Sequence, residues 1–247
     1  MRSILTRVSV ATAALALLLA GLPRAAADTI NLTLNSGGPN ITLTYKTTTE
    51  TVGGGPFSWT QSSPLNSNYP TGPNGITTYC ADLDHVIKTG NTYQYSVSTN
   101  LATLSPVGND SAKITAINEL YAEGYKDSFN SSANEAAFQL ALWKLIYDGP
   151  SNLSFSSGNI RATGTVAQDA TNLLNNLGQT KVNEMSGYEL AALTSTNTQY
   201  PAQGQIMVIP APPPPHGVPA PPAVMLAGIG VLALIGRARW NRRATAA

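Results

Sequence analysis

The sequence predicts an α+β body, an antiparallel β-sheet or sandwich with an inserted helical segment, set between an N-terminal signal helix and a short C-terminal transmembrane helix. Three observations predict it. Apolar residues alternate with polar ones up to about Tyr95, helical spacing replaces that alternation after Asp110, and an apolar run lies near each end of the chain.

In the first half, Ile30, Leu32 and Leu34 alternate with polar residues, as do Ile41, Leu43 and Tyr45, and clusters of Gly, Asn and Pro divide the runs. Gly53, Gly54 and Gly55 with Pro56 read as a turn, because no Lys-Ser/Thr pair follows to make a phosphate cradle. Ile114, Ile117 and Tyr121 then recur at helical spacing. Ser132 with Glu135 reads as a capping box opening a longer helix through Phe138, Leu142, Trp143 and Ile146, which Gly149 and Pro150 stop. A third helix carries Val166, Ala170, Leu173, Leu174 and Leu177 on one face and ends at Gly178. Residues 205–209 read as a last strand able to return to the N-terminal sheet.

The ends have their own logic. Residues 1–27 follow the layout of a secretory signal peptide: Arg2 and Arg7, an apolar run over 8–22, and three alanines after which the cut is expected. That run of about 15 residues falls short of the roughly 20 a spanning helix needs. The body, 28–209, is followed by a proline-rich linker (210–222), an uncharged apolar segment (223–236) and a basic tail (237–247) holding Arg237, Arg239, Arg242 and Arg243. Arginines placed beyond an apolar run stay on the cytoplasmic side. The order of these parts, with Val218, Pro219, Ala220, Pro221 and Pro222 ahead of the apolar segment, resembles the PEP-CTERM sorting signal in its VPAPP-type variant. Ala220 stands where the family name implies an acidic residue. The resemblance implies an exosortase-type processing enzyme as partner, a transient membrane helix, and a final place at the cell surface or in the extracellular matrix. A plain C-terminal anchor with a proline spacer is the alternative.

Composition narrows the function. The formal charge of +1 hides an acidic body: residues 28–217 contain seven basic and thirteen acidic residues, a balance of −6. Nucleic acid is excluded as a partner, since phosphate binding requires clustered Lys and Arg. Cys80 is the only cysteine, so no internal disulfide forms.

Three blocks stand out: Tyr79-Cys80-Ala81-Asp82-Leu83-Asp84-His85, Phe138-Gln139-Leu140-Ala141-Leu142-Trp143, and Gln203-Gly204-Gln205-Ile206-Met207-Val208. Together, over roughly residues 79–209, they resemble the thioester (TQxA) domain family of bacterial surface proteins. Phe138 occupies the position where that family has Thr, and Gly204 replaces a bulky apolar residue before Gln205. The resemblance implies a covalent adhesin rather than a turnover enzyme. Its thioester would join Cys80 to Gln205, with Gln203 or Gln139 as alternative acyl donors. Gln139 would otherwise support the bond by holding nearby backbone, beside Tyr79, and Trp143 would shield it from water. The implied target is an extracellular protein or polysaccharide, and no cofactor or metal is required.

Other readings of the same residues stay open. Cys80 can be a packed core residue, Gln139 a satisfied buried amide and Gln205 a solvent-facing strand residue, in a matrix protein that performs no chemistry. If the strand holding Cys80 continued through Asp82 and Asp84, two carboxylates would share its face and blunt the thiol. A Cys-dependent hydrolase with His85 as base is the weakest option, because residues five apart on a strand point to opposite faces. His216 lies in the proline spacer and cannot serve. Asp82, Asp84 and His85 lack the Gly and late Glu of a calcium loop.

Overall fold

The computed structural model describes residues 28–69, 75–179 and 187–211. The signal segment, residues 1–27, and the sorting motif, apolar segment and basic tail beyond 211 lie outside the described residues. Among the described residues, no helix is long and apolar enough to cross a membrane.

Six antiparallel strands close into a barrel in the order β1 (Asp28–Ser36), β4 (Pro56–Gln61), β5 (Ile76–Cys80), β9 (Gln205–Pro210), β8 (Tyr188–Ser195) and β6 (Thr92–Ser98). The expected sheet or sandwich is thus a barrel, because β1 is paired by both β4 and β6 while β9 is paired by both β5 and β8. Closure removes free edges from the set. A separate three-stranded sheet has the order β3 (Thr48–Gly53), β2 (Asn40–Tyr45), β7 (Ile160–Arg161). The alternation read from the sequence places Ile30, Leu32, Leu34, Ile41, Leu43 and Tyr45 in the core. Strands β7 and β8 have no counterpart in the sequence-based reading.

Three helices sit between β6 and β8 in the chain: α1 (Ser111–Ser128), α2 (Ser132–Asp148) and α3 (Thr165–Asn175). Asp110 caps α1, accepting from the backbone N–H groups of Ala112 and Lys113 at 3.0 and 3.2 Å. The start of α2 corrects the expected capping box. Ser131, not Ser132, is the cap and accepts from Asn134 N–H at 3.1 Å, which puts Glu135 one position too far along to close the reciprocal bond. Gly149, at φ +74°, ends this helix as expected. Helix α3 stops at Asn175, and turns carry the chain on to Gly178, where the sequence had placed its end.

Helix α2 is buried on nearly every side: each residue from Ala136 to Ile146 is buried, including Gln139 and Lys144. It packs against α1, α3, β2, β5 and β7 and so joins the barrel, the small sheet and the other helices. A lysine in that position requires a partner. Lys144 Nζ lies 2.7 Å from Asp148 Oδ2 and donates to the backbone oxygens of Ser157 and Ile160 at 2.7 and 3.1 Å. Asp148 in turn accepts from the N–H groups of Asn159 (2.6 Å) and Ile160 (3.0 Å).

Burial acts to raise the Asp148 pKa, but the Lys144 ammonium and the two N–H groups outweigh it and hold the carboxyl below its ordinary value. A depressed folded pKa means the contribution is complete above the unfolded value of about 3.9 and is lost as pH falls through the folded one. We expect Lys144→Met to cost about 3–5 kcal/mol in urea unfolding at neutral pH, because a buried carboxylate loses its counter-ion. We also expect that deficit to shrink on acidification below about pH 4; a cost independent of pH would contradict this assignment.

Candidate functional site

Strand β5 ends at Cys80 and is antiparallel to β9, with Thr78 opposite Met207, Tyr79 opposite Ile206 and Cys80 opposite Gln205. The next rung is bonded: Ala81 N–H donates to the Gly204 carbonyl at 2.9 Å. In an antiparallel ladder bonded and non-bonded pairs alternate, so the Cys80–Gln205 pair is of the non-bonded kind. In such pairs the Cα atoms are about 4.5 Å apart and the side chains, on one face, approach most closely.

The backbone of Cys80 explains why. Strand β4 begins at Pro56, opposite Tyr79, so no β4 residue is paired with Cys80. Gln139 of α2 takes the vacant place. Its Oε1 accepts from Cys80 N–H at 2.9 Å and its Nε2 donates to the Cys80 carbonyl at 2.8 Å. Gln139 is wholly buried, and its amide oxygen and nitrogen are engaged with one residue of the main chain. It acts as a substitute strand and is thereby occupied as a clamp.

Gln205 is also wholly buried. Its side-chain oxygen accepts from the Thr78 hydroxyl at 2.8 Å, and that hydroxyl oxygen accepts from Trp59 Nε1–H, also at 2.8 Å. The indole therefore turns the Thr78 proton toward Gln205. Its nitrogen donates to Gln203 Oε1 at 3.2 Å, while Gln203 Nε2 donates to the Asp82 carbonyl at 2.7 Å. Gln203 sits at the boundary, 9% exposed. The main-chain oxygen of Gln203 accepts from the Tyr95 hydroxyl at 3.1 Å.

The Cys80 sulfur donates to the Asp82 carbonyl at 3.0 Å and accepts from Asp82 N–H at 3.3 Å. Burial pushes its thiol up to about 12, with a small addition from the Asp82 carboxylate. The Asp82 backbone and the Trp143 indole offset part of that rise. Trp143 Nε1 is buried with no partner in full hydrogen-bond geometry, and its N–H acts on the nearby sulfur as a weak donor that lowers the thiol pKa. Tyr79 points the other way, to a cluster with Phe138, Tyr121 and Tyr125, and donates to Ser128 Oγ at 2.7 Å. It anchors β5 on the helices and does not line the Cys80–Gln205 face.

The strand does not continue beyond Cys80, so Asp82 and Asp84 do not flank the thiol as a continuous strand would require. The Asp84 carboxylate is held instead by the Tyr45 hydroxyl (2.9 Å) and the Lys46 ammonium (3.0 Å). His85 Nδ1 lies 2.6 Å from Asp82 Oδ2. The opposite-face objection to a Cys80–His85 pair therefore rested on a strand that is absent; what argues against it is that the sulfur bonds Asp82 and not His85. Among the described residues, no group of three or more His, Cys, Asp or Glu side chains is placed to hold a metal.

Sequence reasoning missed Thr78 and Trp59. Thr78 was accessible through period-two spacing, two residues before Cys80 and on its face. Trp59 is brought in by the barrel and left no local trace. Gln139→Ala orphans the N–H and C=O of Cys80 inside the protein, and we expect a loss of about 1–3 kcal/mol for each. Urea denaturation measures this, and a cost below that range would contradict the clamp.

Neither a protein-family model nor a curated protein sequence matches the chain. Among solved structures it is similar to the N-terminal thioester domain of a surface protein from Clostridium perfringens, at 13% identity and a TM-score of 0.41, over 73% of this chain and 98% of that one. It is also similar to the N-terminal thioester domain of a protein F2 like fibronectin-binding protein from Streptococcus pneumoniae, at 9% identity and a TM-score of 0.41, over 71% of this chain and all of that one (100%).

Proposed function

We propose that this is an exported surface protein whose body carries an internal thioester between the Cys80 sulfur and the side-chain carbonyl carbon of Gln205, and that it uses the bond once, to attach covalently to an extracellular partner. The reading rests on one observation, the pairing of Cys80 with Gln205 across a non-bonded rung of the β5–β9 ladder. Export, sorting and surface retention rest on the sequence of the two ends.

The chemistry balances within the site. The sulfur attacks the Gln205 carbonyl carbon, the C–N bond breaks, and ammonia leaves with the thiol proton. During attack the carbonyl oxygen becomes an oxyanion, and the Thr78 hydroxyl already donates to that oxygen. Thr78 is prepared for this by Trp59. Complete burial of Cys80 and Gln205 keeps water from the finished bond. A nucleophile from a partner then takes the acyl group and the thiol is released, so one molecule makes one linkage and no turnover follows.

One observation favours the alternative, a matrix protein that performs no chemistry. A thiol pushed up to about 12 and donating to a backbone oxygen is a stable, protonated core residue. Intact-mass spectrometry separates the two. The processed body should be lighter than its sequence by one ammonia, and Cys80→Ala and Gln205→Ala should each abolish that difference. Because Cys80 is wholly buried, thiol labelling discriminates only after denaturation. Full mass together with a thiol that labels quantitatively in denaturant would leave the matrix reading.

A further inference from the structure

Closure of the barrel leaves the small sheet as the one with edges. There β7 is only two residues long, whereas β3 has six and pairs with β2 alone. The rungs show which way its backbone faces. Gly54 N–H donates to the Pro39 carbonyl at 2.7 Å, one step beyond the Asn40–Gly53 pair, and bonded and non-bonded pairs alternate from there. Ile41–Val52, Leu43–Glu50 and Tyr45–Thr48 are therefore bonded, and Asn40–Gly53, Thr42–Thr51 and Thr44–Thr49 are not. Hydroxyl oxygens 2.9 Å apart in both Thr–Thr pairs agree with the closer approach of non-bonded rungs. Thr49, Thr51 and Gly53 thus turn their N–H and C=O groups away from β2, and all three residues are exposed.

Natural edges are blunted by Lys, Pro, a bulge or a cover. Strand β3 has no Lys or Pro, and its register with β2 runs without a shift. Beside it lies a cleft of about 340 Å³, lined by Glu50, Thr51, Val52 and Gly53. Consecutive strand residues point to opposite faces, so a cleft that meets four in a row runs along the strand's edge. Its other walls include Phe57, Leu83, Ile87 and Val86, the last 77% exposed. Glu50 is half-buried and has no ion-pair partner among the described residues. No Lys or Arg lines the cleft, and its histidine, His85, lies against Asp82.

We propose that the β3 edge takes up an extended segment of a partner protein as a fourth strand, with a Lys or Arg of that segment facing Glu50. Main-chain donors and acceptors repeated at strand spacing are matched by another polypeptide backbone, which carries both groups at the same repeat. The apolar walls receive alternate side chains of the added strand. A second copy of this chain fits worse. Its outward residues would pair with those of the first, which puts two Glu50 carboxylates on one face of neighbouring strands. This surface is independent of the thioester and is tested apart from it.

The test uses the processed protein and capped peptides of about seven residues, long enough to cover β3, in which valine alternates with threonine. One peptide has lysine at the central valine position and one has glutamate. Residue-resolved amide exchange is the readout. In the free protein the amides of Thr49, Thr51 and Gly53 should exchange fast and those of Glu50 and Val52 slowly, and saturating lysine peptide should slow the first three about tenfold or more. The lysine peptide should bind about fivefold tighter than the glutamate peptide, and Glu50→Gln should remove that preference. Methylating the lysine peptide at the backbone nitrogens that face β3 should weaken binding at least about tenfold. Outward amides already slow in the free protein would show an edge that is covered, and would overturn the proposal. So would an absence of binding, binding that leaves those amides fast, or binding indifferent to methylation. A lysine preference that survives Glu50→Gln would overturn the assignment of the charge.

Discussion

Which way the Cys80 backbone turns its two polar groups decides the rest of the site. Facing β9, they would have made the Cys80–Gln205 rung a bonded pair with its side chains further apart. They face α2 instead, where Gln139 meets both. That orientation is available because β4 starts at Pro56 and leaves the β4 side of Cys80 to be covered by a helix. A helix entering a barrel wall must satisfy the strand groups it meets. Gln139 does so with one side chain, and the sulfur is left to face Gln205.

Burial then acts in two directions. It protects an acyl bond from water, and it disfavours the thiolate that would make one. The groups around the pair answer the second effect in part. Trp143 gives the sulfur its N–H as a weak donor, and Thr78 offers its proton to the carbonyl oxygen. Both would stabilise negative charge as it develops, one at each end of the forming bond. Gln203, which bonds the Gln205 amide, is 9% exposed and lines a surface cleft with Leu83 and His85.

Much of this was legible in the sequence, and the failures have physical causes. Strands β1 and β2 announce themselves by alternation because one face of each is buried. The last strand could be read from a short apolar run before prolines, whereas the place of Gln205 opposite Cys80 came only from the resemblance to thioester domains. The closed barrel could not, since closure depends on β8, whose run of four buried residues from Leu190 to Leu193 lacks clear alternation. Helix α2 was legible, but its cap was misplaced by one residue because two serines adjoin, and only geometry selects Ser131. Gln139 was expected to hold backbone near Cys80, and its two bonds do so; their consequence for the rung needed the register of β5 and β9. The Asp82–His85 pair could not be read from spacing, because residues three apart on a strand face opposite ways and the two meet only where the strand has ended at Cys80.

The central claim is that the sulfur of Cys80 and the carbonyl carbon of Gln205 are covalently joined in the mature protein. A high-resolution crystal structure of the processed body tests it directly. The account predicts continuous electron density from Sγ to the Gln205 side-chain carbon, with no amide nitrogen there and the carbonyl oxygen on the Thr78 hydroxyl. A separate thiol resting on the Asp82 carbonyl, beside an intact Gln205 amide bonded to Gln203, would contradict it.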